Sequence, residues 1–272
     1  MSEKTLSAST NANLANDIIG KALADVTPEK PTSVDIKLPS DNLVNLPGGY
    51  VLPSGEVVKT AEVRELNGFD EEAIAKANTL GRILNTVVSR AVVKIGDEKA
   101  TEEILDNLLA GDRDALLVGV YSVTFGNPAE LSAYCSGCLD YITVGIDLDT
   151  EIETKKLSDP IEGRKFTIKG RKNEYLVRLP DGRCQKELNS NLDKTVAELG
   201  TILLENTVDE IDGVVVYDKT AIKNIGLMDR REIIKEITKR NPGPQFKEVT
   251  VTCPTCDTEV VAPINLGVLF RV

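Results

Sequence analysis

The stretch that decides the fold is Cys135-Ser136-Gly137-Cys138, read together with its distant twin Cys253-Pro254-Thr255-Cys256. Each is a pair of thiols separated by two residues, and each lies between two short runs with strand character. These are Glu130 to Tyr134 and Tyr141 to Leu148 around the first, and Glu248 to Thr252 and Glu259 to Ile264 around the second. Each pair therefore stands at the tip of a hairpin. A C-x-x-C turn points two sulfurs the same way, and two such knuckles close a tetrahedron around one metal ion. The chain has no histidine, so a zinc ion here is held by thiolates alone. The reading is one structural Zn²⁺ per chain with Cys135, Cys138, Cys253 and Cys256 as ligands. Competing readings of the same pairs are redox dithiols, disulfides and reduced buried thiols. A thioredoxin-like dithiol needs its C-x-x-C to open a helix after a strand, and neither knuckle leads into a helical pattern. Four protein ligands leave no position for water or substrate, so the site is expected to be structural and not catalytic.

Working outward, 272 residues suffice for one large domain or two ordinary ones, with 41% hydrophobic and 28% charged residues, as in soluble globular proteins. The net charge of −11 argues against a nucleic-acid surface, because phosphate contacts need clustered Lys and Arg. No apolar run reaches the roughly eighteen residues of a membrane span, and the start Met1-Ser2-Glu3-Lys4 lacks the apolar core of a signal peptide. Assembly in a reducing cytoplasm is expected, where metal-bound thiolates are more at home than disulfides.

Residues 1–45 read as an N-terminal arm: a Ser/Thr/Asn/Ala-rich start, a short helical pattern from Asn13 to Val26, then an extended run through Val34, Ile36 and Leu38. Residues 46–150 form a first module. It opens with the turn Leu52-Pro53-Ser54-Gly55 and a strand continuing through Glu62 to Leu66. A long helix capped at Asp70 follows, with Ile74, Ala77, Leu80, Leu84, Val87, Val88 and Ala91 at helical spacing. A second helix spans Thr101 to Leu109, Gly111 breaks it, and Asp112 caps a third carrying Leu116, Leu117, Val120 and Tyr121 inward. The first knuckle hairpin closes the module.

Residues 151–272 repeat this order. Leu179-Pro180-Asp181-Gly182 echoes Leu52-Pro53-Ser54-Gly55, and a helix from Leu192 aligns Leu199-Gly200-Thr201-Ile202-Leu203 with Leu80-Gly81-Arg82-Ile83-Leu84. Asp229-Arg230-Arg231 matches Asp112-Arg113-Asp114 at an offset of 117, and the knuckles match at 118. The expected fold is α+β: duplicated helical modules, each ending in a C-x-x-C β-hairpin, the two hairpins joined as a four-cysteine zinc ribbon, with an extended N-terminal arm. Each copy then supplies half a metal site, on a pseudo-two-fold axis between the copies.

Nothing else in the chain points to an active site. Without histidine, Ser-His-Asp and Cys-His arrangements are excluded, and there is no Walker sequence and no G-x-G-x-x-G. Asp209, Glu210, Asp212 and Asp218 form the densest acidic stretch, but their spacing is not that of a calcium loop, so they read as surface. Lys169-Gly170-Arg171-Lys172 reads as a hairpin tip, and Cys184 as a small core residue.

The order Leu52-Pro53-Ser54-Gly55, Glu62-Val63-Arg64-Glu65-Leu66, Asp70-Glu71-Glu72, Leu108-Leu109-Ala110-Gly111-Asp112-Arg113, Thr124-Phe125-Gly126 and then a C-x-x-C hairpin ending in Asp-Leu resembles the baseplate hub and hub-assembly proteins of contractile-tailed bacteriophages. Val251-Thr252-Cys253-Pro254-Thr255-Cys256 is similar to the family's knuckle. The resemblance covers residues 50–148 and, more loosely, 175–266. It departs from the family pattern in holding two modules per chain and in its N-terminal arm. It implies a non-enzymatic structural component of a tail baseplate at or near the hub, located in the virion. Its partners are other tail and baseplate proteins, with no nucleic acid, membrane or small-molecule substrate. Only the knuckle cysteines carry over, as metal ligands. Two alternatives stay open: a cytoplasmic assembly chaperone absent from the virion, and a zinc-ribbon adaptor of a transcription complex.

Overall fold

A computed structural model describes residues 42–270. The arm's helical and extended patterns lie outside the described residues. Strand β1 (Leu43–Val51) already begins within residues 1–45. It pairs with β2 (Val57–Val63) through the turn at Leu52 to Glu56, where Gly55 takes the positive φ of 87° that the tight reversal needs. Helix α1 (Gly68–Ala75) and α2 (Leu80–Ala91) lead to β3 (Val92–Ile95) and β4 (Glu98–Lys99), completing an antiparallel sheet in the order β1-β2-β3-β4.

The single long helix expected from Asp70 to Ala91 is two helices. Asn67 caps α1 by accepting from the Phe69 and Asp70 amides, and Thr79 caps α2 through the Arg82 amide. Asp70 is not the cap. It closes the capping box and is buried between Arg64 (2.6 Å) and Arg90 (2.8 Å). The apolar spacing runs through both helices, so periodicity alone does not show the break; the caps do.

Helix α3 (Glu102–Asn107) is capped by Thr101 and ends two residues short of the expected Leu109, and α4 (Ala110–Phe125) begins two residues before Asp112. Gly111 therefore sits in the first turn of a helix and breaks none. A Cβ there would collide with the backbone of Pro242, so glycine is required by close approach. The first hairpin, β5 (Pro128–Cys135) with β6 (Asp140–Asp147), follows, then α5 (Leu148–Glu151) and β7 (Glu153–Lys155).

The element order then recurs: β8 (Lys165–Lys169), β9 (Glu174–Arg178), α6 (Gly182–Asn189), α7 (Val196–Thr207), β10 (Val208–Ile211), β11 (Val214–Val215), α8 (Lys219–Lys223), α9 (Leu227–Arg240), and, after β12 (Gly243–Gln245), the hairpin β13 (Glu248–Thr252) with β14 (Glu259–Pro263) and α10 (Leu266–Leu269). The second sheet has the corresponding order, β8-β9-β10-β11. Two alignments made from residue identities are displaced. Leu179 to Gly182 enters α6, whose Asp181 cap corresponds to Asn67, while the counterpart of the Leu52 to Gly55 turn is the basic tip at Gly170 to Asn173. Helices α2 and α7 start at Leu80 and Val196, so Leu80 pairs with Val196 and not with Leu199. The pair β7 and β12, which joins the two halves, had no signal in the sequence.

Two hydrophobic cores form. The first gathers Leu46, Val63, Val87, Ile95, Leu116 and Val120 with residues of both hairpins and of α10. The second lies between β8, β9 and α7 to α9, centred on Tyr175, Val177, Leu204, Ile222 and Ile233, and takes Leu109 from the first half. The second hairpin thus packs on the first half's core.

Candidate metal centre

Alternation sets up the first knuckle. Along β5 the residues Ala129, Leu131, Ala133 and Cys135 are buried while Pro128, Glu130, Ser132 and Tyr134 point outward, so the strand's period of two delivers Cys135 to the core face. On the outer face Tyr134 and Tyr141 stack edge to face with centroids 5.4 Å apart. In the second knuckle the Cys253 amide donates to the Thr258 carbonyl at 2.9 Å.

The two turns share one backbone geometry. The amide following the second cysteine returns to the carbonyl of the first, Leu139 to Cys135 at 2.9 Å and Asp257 to Cys253 at 3.0 Å. Both donors sit in the left-handed region, with φ of 59° and 58°. That conformation costs a side-chain-bearing residue roughly 1 kcal/mol or more. Two residues holding it at equivalent places mark the turns as geometrically imposed.

The four sulfurs of Cys135, Cys138, Cys253 and Cys256 lie within 4.8 Å of one another. The closest approaches join the knuckles, Cys135 to Cys256 at 3.5 Å and Cys138 to Cys253 at 3.7 Å. A disulfide needs about 2.05 Å, and all four are free thiols. Tetrahedral bonds of about 2.3 Å to a common ion put sulfurs about 3.8 Å apart. The spacing therefore fits a shared cation, and the group could hold a metal ion. The thiols are inequivalent: Cys135 and Cys253 are buried, Cys138 is half-buried and Cys256 is exposed. The Thr258 hydroxyl and amide bring Cys256 down to about 6. Amides of Thr255 and Cys256 lower Cys253, while Cys138, sharing protons with Cys256 and Cys253, is pushed up to about 12. Sulfurs this close cannot all ionise without a cation among them, and soft thiolates select Zn, Cu(I) or Fe over Mg or Ca.

Two neighbours not singled out in the sequence complete the site. A Cβ on Gly137 would meet the Cys256 sulfur at 2.8 Å and collide with the Thr258 hydroxyl, so Gly137 is what admits the second knuckle. The Thr258 hydroxyl lies 3.3 Å from Cys256 Sγ. Only the glycine inside the first C-x-x-C could have hinted at this.

The remaining candidates do not join in. Cys184 is buried in α6, its thiol pushed up to about 12 chiefly by burial. Asp209 pairs with Lys165 and Arg178, Asp212 accepts from the Glu174 amide, and Asp218 caps α8, so the acidic stretch is dispersed among local roles. The basic tip is tied to α9 by the Arg171 amide donating to Asp229 at 3.1 Å. Among the described residues the four cysteines form the one group suited to a metal.

The chain is thus an α+β protein in which four thiols from two hairpins converge on one point. A family model described as "T4 bacteriophage base plate protein" matches residues 51–270, and the chain belongs to that family. No curated protein and no solved structure matches it. Membership makes it a T4 baseplate-related structural protein, implies assembly with other phage tail proteins and points to the virion tail. Among the described residues no helix is long and apolar enough to cross a membrane.

Proposed function

We propose that the chain is a hub or hub-proximal component of the baseplate, non-catalytic, in which one structural Zn²⁺ bound by Cys135, Cys138, Cys253 and Cys256 ties together the ends of two duplicated modules. The observation that carries this is the convergence of four sulfurs, within 4.8 Å, from hairpins 118 residues apart in sequence. With all ligands from the protein, the ion supplies cross-linking and nothing else. Duplication is supported by the recurring element order and by the matched corners of α4 and α9. In each, an arginine donates to the carbonyl eight residues back: Arg113 to Leu105 at 2.9 Å and Arg230 to Ile222 at 3.1 Å. In each it also donates to the preceding long helix, at Asn85 and at Thr201. Each copy then contributes half the site, with residues 46–150 and 151–272 as the copies and residues 1–45 as an arm that clasps neighbouring subunits.

Elemental analysis of the purified chain beside Cys253→Ser tests the centre. One zinc per chain, lost with the hairpins' structure in the variant, is expected; a metal-free wild type of unchanged stability overturns it. Mass spectrometry of purified virions tests the station, since absence of the chain from particles would assign it to assembly and not to the baseplate itself.

A further inference from the structure

Besides the β7–β12 pair and the packed hairpins, the two halves meet at one corner that has an unmatched counterpart. The turn from α3 into α4 docks on the start of α6: Ala110 N–H donates to the Pro180 carbonyl at 2.9 Å, Gly182 N–H donates to the Leu108 carbonyl at 2.8 Å, and Leu109 bridges Asp181. Arg113 Nε donates to Gln185 Oε1 at 2.8 Å, and Gln185 Nε2 donates to Asp114 at 2.6 Å. Gly182 is obligatory here, because a Cβ would meet the Leu105 carbonyl at 2.6 Å.

Carried through the correspondence of the two halves, the docking corner becomes Ile222 to Arg231 and the receiving surface becomes Leu66 to Glu71. Among the described residues nothing docks on the outer side of either, although Asp70, Ile222, Ile225 and Asp229 are buried within their own half. Leu227 is 74% exposed and Phe69 78% exposed, and a Cβ on Gly68 or Gly226 meets nothing. Beside Gly68 lies an apolar cavity of about 460 Å³ lined by Leu66, Ile74, Phe125 and Phe270. Nη1 and Nη2 of Arg230 repeat the bonds of Arg113, but its Nε is engaged by no described residue.

The polar residues change in concert. In the covered contact, Gln185 accepts from Arg113 and donates to Asp114. In the uncovered pair of surfaces, Asp114 is replaced by Arg231 and Gln185 by Glu71. A glutamine suits an arginine and an aspartate, whereas a glutamate suits two arginines.

We infer that the α9 corner of one copy, Leu227 to Arg231, docks on the α1 start of a second copy, with Glu71 received between Arg230 and Arg231. The interface is heterologous, so it builds head-to-tail rings or open chains and not a two-fold dimer. The inference rests on the correspondence of the halves and makes no use of the metal.

Sedimentation velocity on the full chain across the micromolar range tests it. The wild type is expected to associate in steps beyond a dimer. Arg231→Glu, which sets two carboxylates together, and Gly68→Trp, which fills the receiving surface where the native chain leaves space, are each expected to weaken association on the order of a hundredfold. Mixing these two variants restores one native contact per pair, so the mixture should give capped dimers and stop there. A monomeric wild type, association untouched by either variant, or a mixture that stays monomeric overturns the inference. Zinc content measured on the same samples keeps this result separate from the metal proposal, since a monomer that retains its metal sinks only the docking contact.

Discussion

The corners at Arg113 and Arg230 have the same internal wiring and opposite surroundings. Arg113 is 2% exposed beneath the second half of the chain, while Arg230 is half-buried at the edge of exposed Leu227 and Met228. The wiring is local: an arginine in the first turn of a helix reaches a carbonyl in the last turn of the helix before it. Burial depends on what docks, and among the described residues only the first corner finds a partner. The cores differ likewise, because the first absorbs both hairpins and the second neither. The sulfur centre therefore belongs to the first half although two of its ligands come from the second.

Removing the sulfur tie should break this asymmetry most visibly. Binding of a structural zinc contributes on the order of 10 kcal/mol, so Cys253→Ser is expected to abolish protection of amides such as Val144 and Val260 in hydrogen exchange. Val177 and Ile233, in the second core, should keep theirs. Equal loss in both cores would show one cooperative unit and remove the distinction.

Next in size is the arginine pair. Arg113→Ala leaves the Leu105 carbonyl, Asn85 and Gln185 without their donor in a buried setting, while Asp106 keeps Lys186, and is expected to cost roughly 3–5 kcal/mol. Arg230→Ala loses two bonds at a partly exposed site and should cost about 1–2 kcal/mol. Urea midpoints at neutral pH compare them, and similar losses would mean that docking adds nothing to the first corner.

The glycines sharpen the same contrast. Gly182→Ala must displace the Leu105 carbonyl and should cost about 1–3 kcal/mol, whereas Gly68→Ala, facing open space, should stay within about 0.5 kcal/mol of the wild type in thermal melts. Matching Tm values would show that the first corner yields readily.

The sulfur centre was legible in the sequence because C-x-x-C spacing and strand alternation are local signals, and both hairpins lie where these put them. Its support was not. Gly137 and Thr258 matter only once the second knuckle lies on the first, and that approach is tertiary. The split between α1 and α2 was missed because apolar spacing continues across it, although Asn67 and Thr79 are ordinary caps. Aligning the halves by identities slipped by three residues at Leu80, since the helix starts correspond in structure while the matching letters do not. The packing of the second hairpin on the first core has no trace in either hairpin's own pattern.

Two carboxylates in the first half offer the finest test, because burial wins at one and loses at the other. Burial raises Asp70, but Arg64, the Asn67 amide and Arg90 together hold it down at about 2. Its folded pKa lies below the unfolded value of about 3.9, so its contribution to stability is complete above about pH 4 and is lost as the pH falls toward 2. At Asp112 burial prevails over the Gly48 amide and Arg164, and the carboxyl is pushed up to about 6. Its Oδ2 is buried without a partner, while Oδ1 accepts from the Gly48 amide at 2.6 Å. The folded chain thus holds a proton that the unfolded chain has released, and stability falls as the pH rises from about 4 to about 6. Asp112→Asn keeps an acceptor for Gly48 and has nothing to ionise. Relative to the wild type it should gain on the order of 1–2 kcal/mol between about pH 4 and about pH 7. Asp70→Asn should show the reverse, a penalty at neutral pH that shrinks in acid. Urea midpoints for both variants at the two pH values read this directly, and an Asp112→Asn variant whose difference from the wild type does not change with pH would show that Asp112 is solvated and that the closure of the first corner over it is incomplete.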